Sequence, residues 1–267
     1  MENLIENINN FKLDIQYTTP SYNPFRYAVI DDFLKTSYYN QLLKECDRLE
    51  SNGKFKKFSA PYAPEEQSQW KYCHLGDASI KHNYFNLFST QSFKKFINDK
   101  FDDIELTNNI TMELHKHPIN DKDGWIHNDF DQANFIEDEV SSINGLNIWN
   151  YNTDYRKKEN VPEIYQKNVR SIALIYYLNP KPKEWVLEDG GQTALYISGQ
   201  DNLENIARSV APIPNRLLIY EINPYSWHAL KMKNKYERLS FHMWFHSDLQ
   251  YSINKWKYTG HHPSDGE

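Results

Sequence analysis

Several things are scarce in this chain, and each scarcity excludes something. Two cysteines, Cys46 and Cys73, are too few for a disulfide framework. No apolar run approaches the ~20 residues that a membrane helix needs; the longest is Ile172 to Leu178. The start, MENLIENINNF, is polar and acidic, not a charged segment followed by an apolar one. No stripe of Lys and Arg marks a nucleic-acid surface, and the net charge is −6. The short Lys run at 231–235 reads as an exposed turn. These absences point to a protein of a reducing, cytoplasmic setting with no membrane and no nucleic-acid partner.

Aromatic residues, by contrast, are abundant. They make up 15% of 267 residues, enough to build a core and to argue against disorder. The length suits one large domain. Phe25 to Ile30 reads as a strand, with Asp31 or Asp32 capping the helix that follows. Leu34, Tyr38, Leu42, Cys46 and Leu49 then recur at helical spacing. Phe93, Phe96, Ile97 and Phe101 predict a second helix near 91–101.

From about residue 110 the pattern shortens to strands. Candidates are 110–117, 124–129, 170–178, 192–198, 208–213, 216–221, 226–232 and 237–246. Turn signals separate them, among them Asn179-Pro180, Asp189-Gly-Gly191 and Asn223-Pro224. The expected fold is mainly β with flanking helices: a double-stranded β-helix, or jelly roll, with N-terminal helices packed on one sheet. The expected domain spans 1–250, with helical support over 25–105, a jelly-roll core over 110–246 and a polar tail over 251–267. In the last strand, alternation puts Arg238, Ser240, His242, Trp244 and His246 on one face, and Leu239, Phe241, Met243 and Phe245 on the other. The first set suits a ligand cavity and the second a core.

The chemistry sits in His127-Asn-Asp129, followed by His228 and, ten residues later, Arg238. Two imidazoles and one carboxylate are the donor set of a 2-His-1-carboxylate facial triad, which holds ferrous iron and leaves coordination positions open. An Arg can grip a carboxylate with a planar fork of donors. The His-x-Asp triplet alone is weak, because composition gives roughly 0.7 of them by chance. A second copy, His246-Ser-Asp248, has no Arg and only polar residues after it, and reads as the end of a strand.

These residues resemble the iron(II)- and 2-oxoglutarate-dependent dioxygenases, specifically the prolyl-4-hydroxylase-like branch. The resemblance covers residues 24–246. It rests on the entry segment Pro24 to Leu34, on His127-x-Asp129, on Ser171-Ile-Ala-Leu-Ile-Tyr-Tyr-Leu-Asn179, on Gly190-Gly-Gln-Thr193, on His228 and on Arg238-x-Ser240. It implies His127, Asp129 and His228 as catalytic metal ligands, with Fe(II), 2-oxoglutarate and O2 as cofactor and co-substrates, and ascorbate as an optional reductant. It implies Arg238 and Ser240 as partners of the far carboxylate of 2-oxoglutarate, with His117 and Tyr176 also in the co-substrate set. His117 stands where many relatives carry a Tyr.

The implied reaction is hydroxylation of an unactivated C–H bond, with release of succinate and CO2. A small molecule such as an amino acid is the expected substrate. A peptidyl-proline hydroxylase and a cupin-like metal-binding, sugar-modifying protein without oxidation chemistry are the alternatives. The stretch from Phe135 to Arg170 is long for a hairpin, and its 135–168 portion is expected to form a lid over the substrate. Oligomeric state is not legible.

Overall fold

In the computed structural model the residues described are 24–58, 70–76, 84–135, 140–149, 166–179, 184–231 and 233–257. The chain enters through β1 (Tyr27–Ile30) and α1 (Thr36–Ser51), then β2 (Lys56–Lys57) and β3 (Lys71–His74). After a 3₁₀ turn at Tyr84–Leu87 come α2 (Gln91–Asn98) and the long β4 (Leu106–His117). Then follow β5 (Gln132–Phe135), β6 (Val140–Ile143), β7 (Leu146–Trp149) and β8 (Gln166–Tyr177). The remainder is β9 (Gln192–Leu195), β10 (Arg208–Val210), β11 (Leu217–Glu221), β12 (His228–Lys231), β13 (Arg238–Asp248) and α3 (Leu249–Trp256).

Two sheets form from these strands. The larger runs β1-β11-β8-β13-β4-β3-β2, with β5 beside β8 and the β6–β7 hairpin beside β4. The smaller is β10-β9-β12. This is the expected double-stranded β-helix core with helices on one sheet.

Alternation along the long central strands decides which core each residue joins. Ile172, Leu174 and Tyr176 of β8, with Leu239, Phe241, Met243 and Phe245 of β13, pack toward the helices. They meet Leu42 and Leu49 of α1 and Phe93, Phe96 and Ile97 of α2. The intervening residues Ala173, Ile175 and Tyr177, with Trp244, pack between the two sheets. The predicted division of β13 into two faces is therefore what the structure shows.

Several local expectations need correction. Helix α1 is not capped by Asp31 or Asp32. It starts behind Lys35, which makes no side-chain cap bond, while Asp31 is engaged by Arg216 through two N–H donors. The expected strand 124–129 is only a single bridge at His127. The polar tail begins later than residue 251. Asp248 accepts from Gln250 N at 2.7 Å and caps α3, whose Leu249 and Trp256 pack against the inter-sheet core. A polar sequence hid that amphipathic helix.

The insert also divides differently. Residues 136–139 and 150–165 lie outside the described residues. The part between them is a hairpin, not a lid. Its β7 pairs parallel with β4 at Asn109 and Ile110, and Leu146 and Ile148 are buried in the helix-side core. Asn144 and Gly145 turn it with φ of 52° and 81°, the backbone that a tight two-residue hairpin turn requires.

Candidate metal centre and co-substrate site

His127 and His228 face each other across one antiparallel bridge. His127 N donates to His228 O at 3.0 Å, and His228 N donates to His127 O at 2.8 Å. Their rings lie 4.3 Å apart between centroids. Each ring has its Nδ1 tied to a backbone carbonyl two residues earlier, His127 to Trp125 O at 2.9 Å and His228 to Ser226 O at 3.1 Å. An Nδ1–H donated there leaves each Nε2 lone pair aimed at the space between them.

Asp129 closes the triangle. It lies 3.5 Å from His127 Nε2 through Oδ1 and 3.7 Å from His228 Nε2 through Oδ2. One donor atom from each of the three residues falls within 4.8 Å of the others. Among the described residues this is the one such cluster of three or more His, Cys, Asp or Glu. The backbone at Asp129 is left-handed, φ 54°, and Phe130 N donates to Asn128 Oδ1 to hold the turn.

The electrostatics prepare these groups to bind a cation. Burial alone would push the Asp129 carboxyl up. Arg170, His127 and His228 and the Trp244 N–H bond outweigh it and hold it at about 2. Arg170 Nη1 stands 3.4 Å from Asp129 Oδ1, and its guanidinium lies over the Trp244 ring at 4.5 Å. Burial first, and then His127, lowers His228 to about 4, so its imidazole is neutral at pH 7. A deprotonated carboxylate and neutral imidazoles are the forms that ligate metals. Tyr220, which the sequence reading passed over, places its hydroxyl 3.1 Å from His228 Nε2.

Arg238 occupies the other end. It is fully buried with no carboxylate paired to it among the described residues. Nη1 donates to Ser240 Oγ at 2.9 Å, Nη2 reaches Thr193 Oγ1 at 3.5 Å, and Nε is buried without a partner. The Tyr177 ring lies 5.3 Å from the guanidinium carbon, and its hydroxyl meets Thr193 Oγ1 at 2.8 Å. Gly190 and Gly191, both at φ 73°, bring Thr193 in; a Cβ at Gly191 would stand 3.6 Å from Arg238 Cδ. A buried guanidinium without a counter-ion is costly. The far carboxylate of a 2-oxo diacid would supply that counter-ion, so the residues fit the co-substrate as well as the metal.

Of the sequence-derived set, His127, Asp129 and His228 converge at one end, and Arg238, Ser240 and His117 at the other. His117 pairs with Arg238 in the β4–β13 register. Tyr176 does not join them. It faces the helices and donates to Asn215 Oδ1 at 2.5 Å. Its neighbour Tyr177 is the tyrosine beside Arg238. In an adjacent Tyr-Tyr pair, pleat alternation sends one ring to each face, and only packing decides which. The decoy, His246-Ser-Asp248, stays apart: His246 Nε2 meets Thr111 Oγ1 at 3.3 Å while Asp248 caps α3.

The fold and site together are a double-stranded β-helix core that carries a 2-His-1-carboxylate cluster. Residues 147–246 match the family model described as the 2OG-Fe(II) oxygenase superfamily. Over that stretch the chain is similar to this family, for which Fe(II), 2-oxoglutarate and O2 are the implied cofactor and co-substrates, and the His127, Asp129 and His228 cluster fits such a metal. The matched stretch contains His228 and Arg238; His127 and Asp129 precede it and come to the site through the fold. No curated protein sequence matches.

Among solved structures, the chain resembles a prolyl hydroxylase from Trichoplax adhaerens in complex with a hypoxia inducible factor peptide fragment. That likeness has 19% identity and a TM-score of 0.56, covering 95% of this chain and 91% of that one. A Pseudomonas putida prolyl-4-hydroxylase matches at 17% identity and a TM-score of 0.50, covering 82% of this chain and 91% of that one. The α-ketoglutarate-dependent epimerase SnoN of nogalamycin biosynthesis matches at 11% identity and a TM-score of 0.50, covering 85% of this chain and 80% of that one. At these identities the shared property is the fold. No helix among the described residues is long and apolar enough to cross a membrane.

Proposed function

We propose that the protein hydroxylates an unactivated C–H bond of a small molecule such as an amino acid or related metabolite. His127, Asp129 and His228 would hold the metal, and Arg238, Ser240, Tyr177 and His117 the far end of 2-oxoglutarate. The observation that carries this is the fully buried, uncompensated Arg238 on the same sheet face as Trp244, which in turn bonds Asp129. Iron and 2-oxoglutarate, when bound, would activate dioxygen as the oxidant, with two of its four electrons coming from decarboxylation of 2-oxoglutarate to succinate and CO2 and two from the substrate C–H bond.

The chain's own residues do the positioning. The bonds from each Nδ1 to a carbonyl fix both imidazoles, and Arg170 and Trp244 fix the carboxylate. Arg238 fixes the co-substrate's direction along the face of β13. Substrate would enter past His127, the least buried of the three ligands. Trp125, whose ring lies 5.6 Å from that of His127, stands exposed there. The neighbouring loop brings exposed Tyr225 beside Pro224, whose carbonyl accepts from Asn128. An exposed aromatic side chain beside the least buried ligand would suit a compact ligand.

The test is succinate release, measured with Fe(II) over a panel of free amino acids, nucleosides and proline-containing peptides. Coupling to a free metabolite is expected. Coupling confined to peptides would overturn the small-molecule assignment, and absence of any 2-oxoglutarate binding would overturn the whole reading.

A further inference from the structure

His117 and Arg238 face each other on one rung of the β4–β13 ladder, and each carries a buried nitrogen with no hydrogen-bond partner, Nε2 and Nε. The other ring nitrogen of His117 is engaged. Nδ1 lies 2.9 Å from Asp121 Oδ2, and both side chains are 2% exposed. Asp121 is held in turn: Asn234 Oδ1 accepts from its backbone N, and Lys122 N donates to its Oδ1. Arg238, His117 and Asp121 are thus three titratable or charged groups, all buried.

We infer that the His117–Asp121 pair takes up a proton when the far carboxylate of the co-substrate docks on Arg238. The inference rests on the proposed function and adds to it a second donor that exists only in the bound state.

Charge balance in a medium of low dielectric constant carries the argument. With a neutral imidazole, the buried Asp121 carboxylate already stands against the His117 ring. A docked carboxylate on Arg238 would add a second negative charge near that ring, which burial penalises. A proton on His117 Nε2 offsets the added charge. It also converts a lone pair that would repel the carboxylate into an N–H that donates to it. Asp121 fixes the direction of this change. By taking Nδ1–H it leaves Nε2 as the site where the incoming proton, drawn from solvent, must go.

The surroundings agree with an unprotonated ring before docking. Burial, together with Arg238 from β13 and His115 from its own strand, lowers His117 to about 4, against the opposing pull of Asp121. Trp70 stacks on His117 at 5.5 Å, and Tyr177 lies behind the guanidinium. A carboxylate held by Arg238 would replace repulsion from the guanidinium by attraction and raise the ring's affinity for a proton.

The experiment is calorimetric titration of 2-oxoglutarate into the Mn(II)-saturated full chain at pH 7, in two buffers of different ionisation enthalpy. Wild type should take up about one proton per co-substrate bound, and affinity should weaken by up to roughly tenfold per pH unit as pH rises. His117→Gln, which keeps an N–H donor and does not titrate, should bind with no buffer dependence. Asp121→Asn, which removes the negative charge that the proton offsets, should bind with much less proton uptake and a flatter pH dependence. Identical heats in both buffers for wild type, or unchanged proton uptake in His117→Gln, would overturn the inference while leaving the oxygenase reading standing. No binding by wild type would overturn both. The wild-type measurement decides the matter even if a variant fails to fold.

Discussion

Trp244 Nε1 donates to Asp129 Oδ2 over 3.0 Å, so the strand that presents Arg238 also holds the carboxylate of the metal triad. Arg170 grips the other oxygen of Asp129 while lying flat on the same Trp244 ring. Both ends of the site are therefore set by one face of β13 and its neighbour β8.

The first expected outcome concerns that bond. Trp244→Phe keeps the aromatic body and removes the N–H. Metal affinity should fall by about 10–100-fold, the usual cost of losing a partner behind a ligand. Titration of Mn(II) or Fe(II) under anaerobic conditions reads this directly, and an unchanged affinity would show that Arg170 alone suffices.

Arg238 should separate stability from function. Its guanidinium is buried without a carboxylate partner, so Arg238→Met should raise the melting temperature of the free protein. The same change should weaken 2-oxoglutarate binding by about 2–5 kcal/mol while metal binding stays near wild type. A destabilised variant with intact co-substrate affinity would refute the assignment. Arg216 is no substitute, because Asp31 already holds it.

The two adjacent tyrosines should behave oppositely. Tyr177→Phe removes a hydroxyl beside Thr193 and Arg238 and should raise the 2-oxoglutarate dissociation constant. Tyr176→Phe removes a buried bond to Asn215 and should cost about 1 kcal/mol of stability with co-substrate affinity unchanged. Chemical denaturation and co-substrate titration on both variants distinguish them.

Acidification should destabilise the metal-free protein well above the carboxylate range. His117 and His228 are both held at about 4, chiefly by burial, against an ordinary 6.5. Between those limits the unfolded chain binds their protons and the folded one does not. Stability is therefore fully present above 6.5 and falls as pH drops toward 4, by about 1.4 kcal/mol per unit for each ring. Asp129, held at about 2, contributes its own loss only below the ordinary carboxylate value. Urea midpoints of chelator-treated protein between pH 7.5 and 4.5 measure the slope.

Removing the β6–β7 hairpin should unfold the domain. Leu146→Ala and Ile148→Ala should each cost about 2–5 kcal/mol, since both side chains are fully or almost fully buried in the helix-side core. Denaturant midpoints near wild type for both would show the hairpin to be dispensable.

Much of the site could be read without the fold, and the reason is local. Strand alternation alone puts Arg238, Ser240 and Trp244 on one face, and the structure keeps them there. The ordered His127, Asp129, His228 and Arg238 carried the chemistry. What escaped was set by tertiary packing. Nothing in Tyr176-Tyr177 says which ring turns to the helices. Nothing near Trp244 announces that its N–H will meet a carboxylate from a distant loop. The hairpin did leave a signal in Asn144-Gly145, but Ser141-Ser142 interrupts the apolar pattern of its first strand. Asp121 gave no sign at all, because its meaning depends on His117 four residues earlier curling back across a turn.

The backbone bridge between His127 and His228 also has a bearing on how the molecule comes into being. About a hundred residues separate its two halves, so closing it costs the entropy of a long loop, and contacts of that reach form late and slowly. During synthesis the site cannot exist until β12 has emerged and found the segment at His127. An ion that binds both imidazoles and Asp129 would then act as a clasp on that loop, adding to stability in proportion to the logarithm of its concentration above the dissociation constant. Metal supply would in this way set the lifetime of the folded chain as well as its activity.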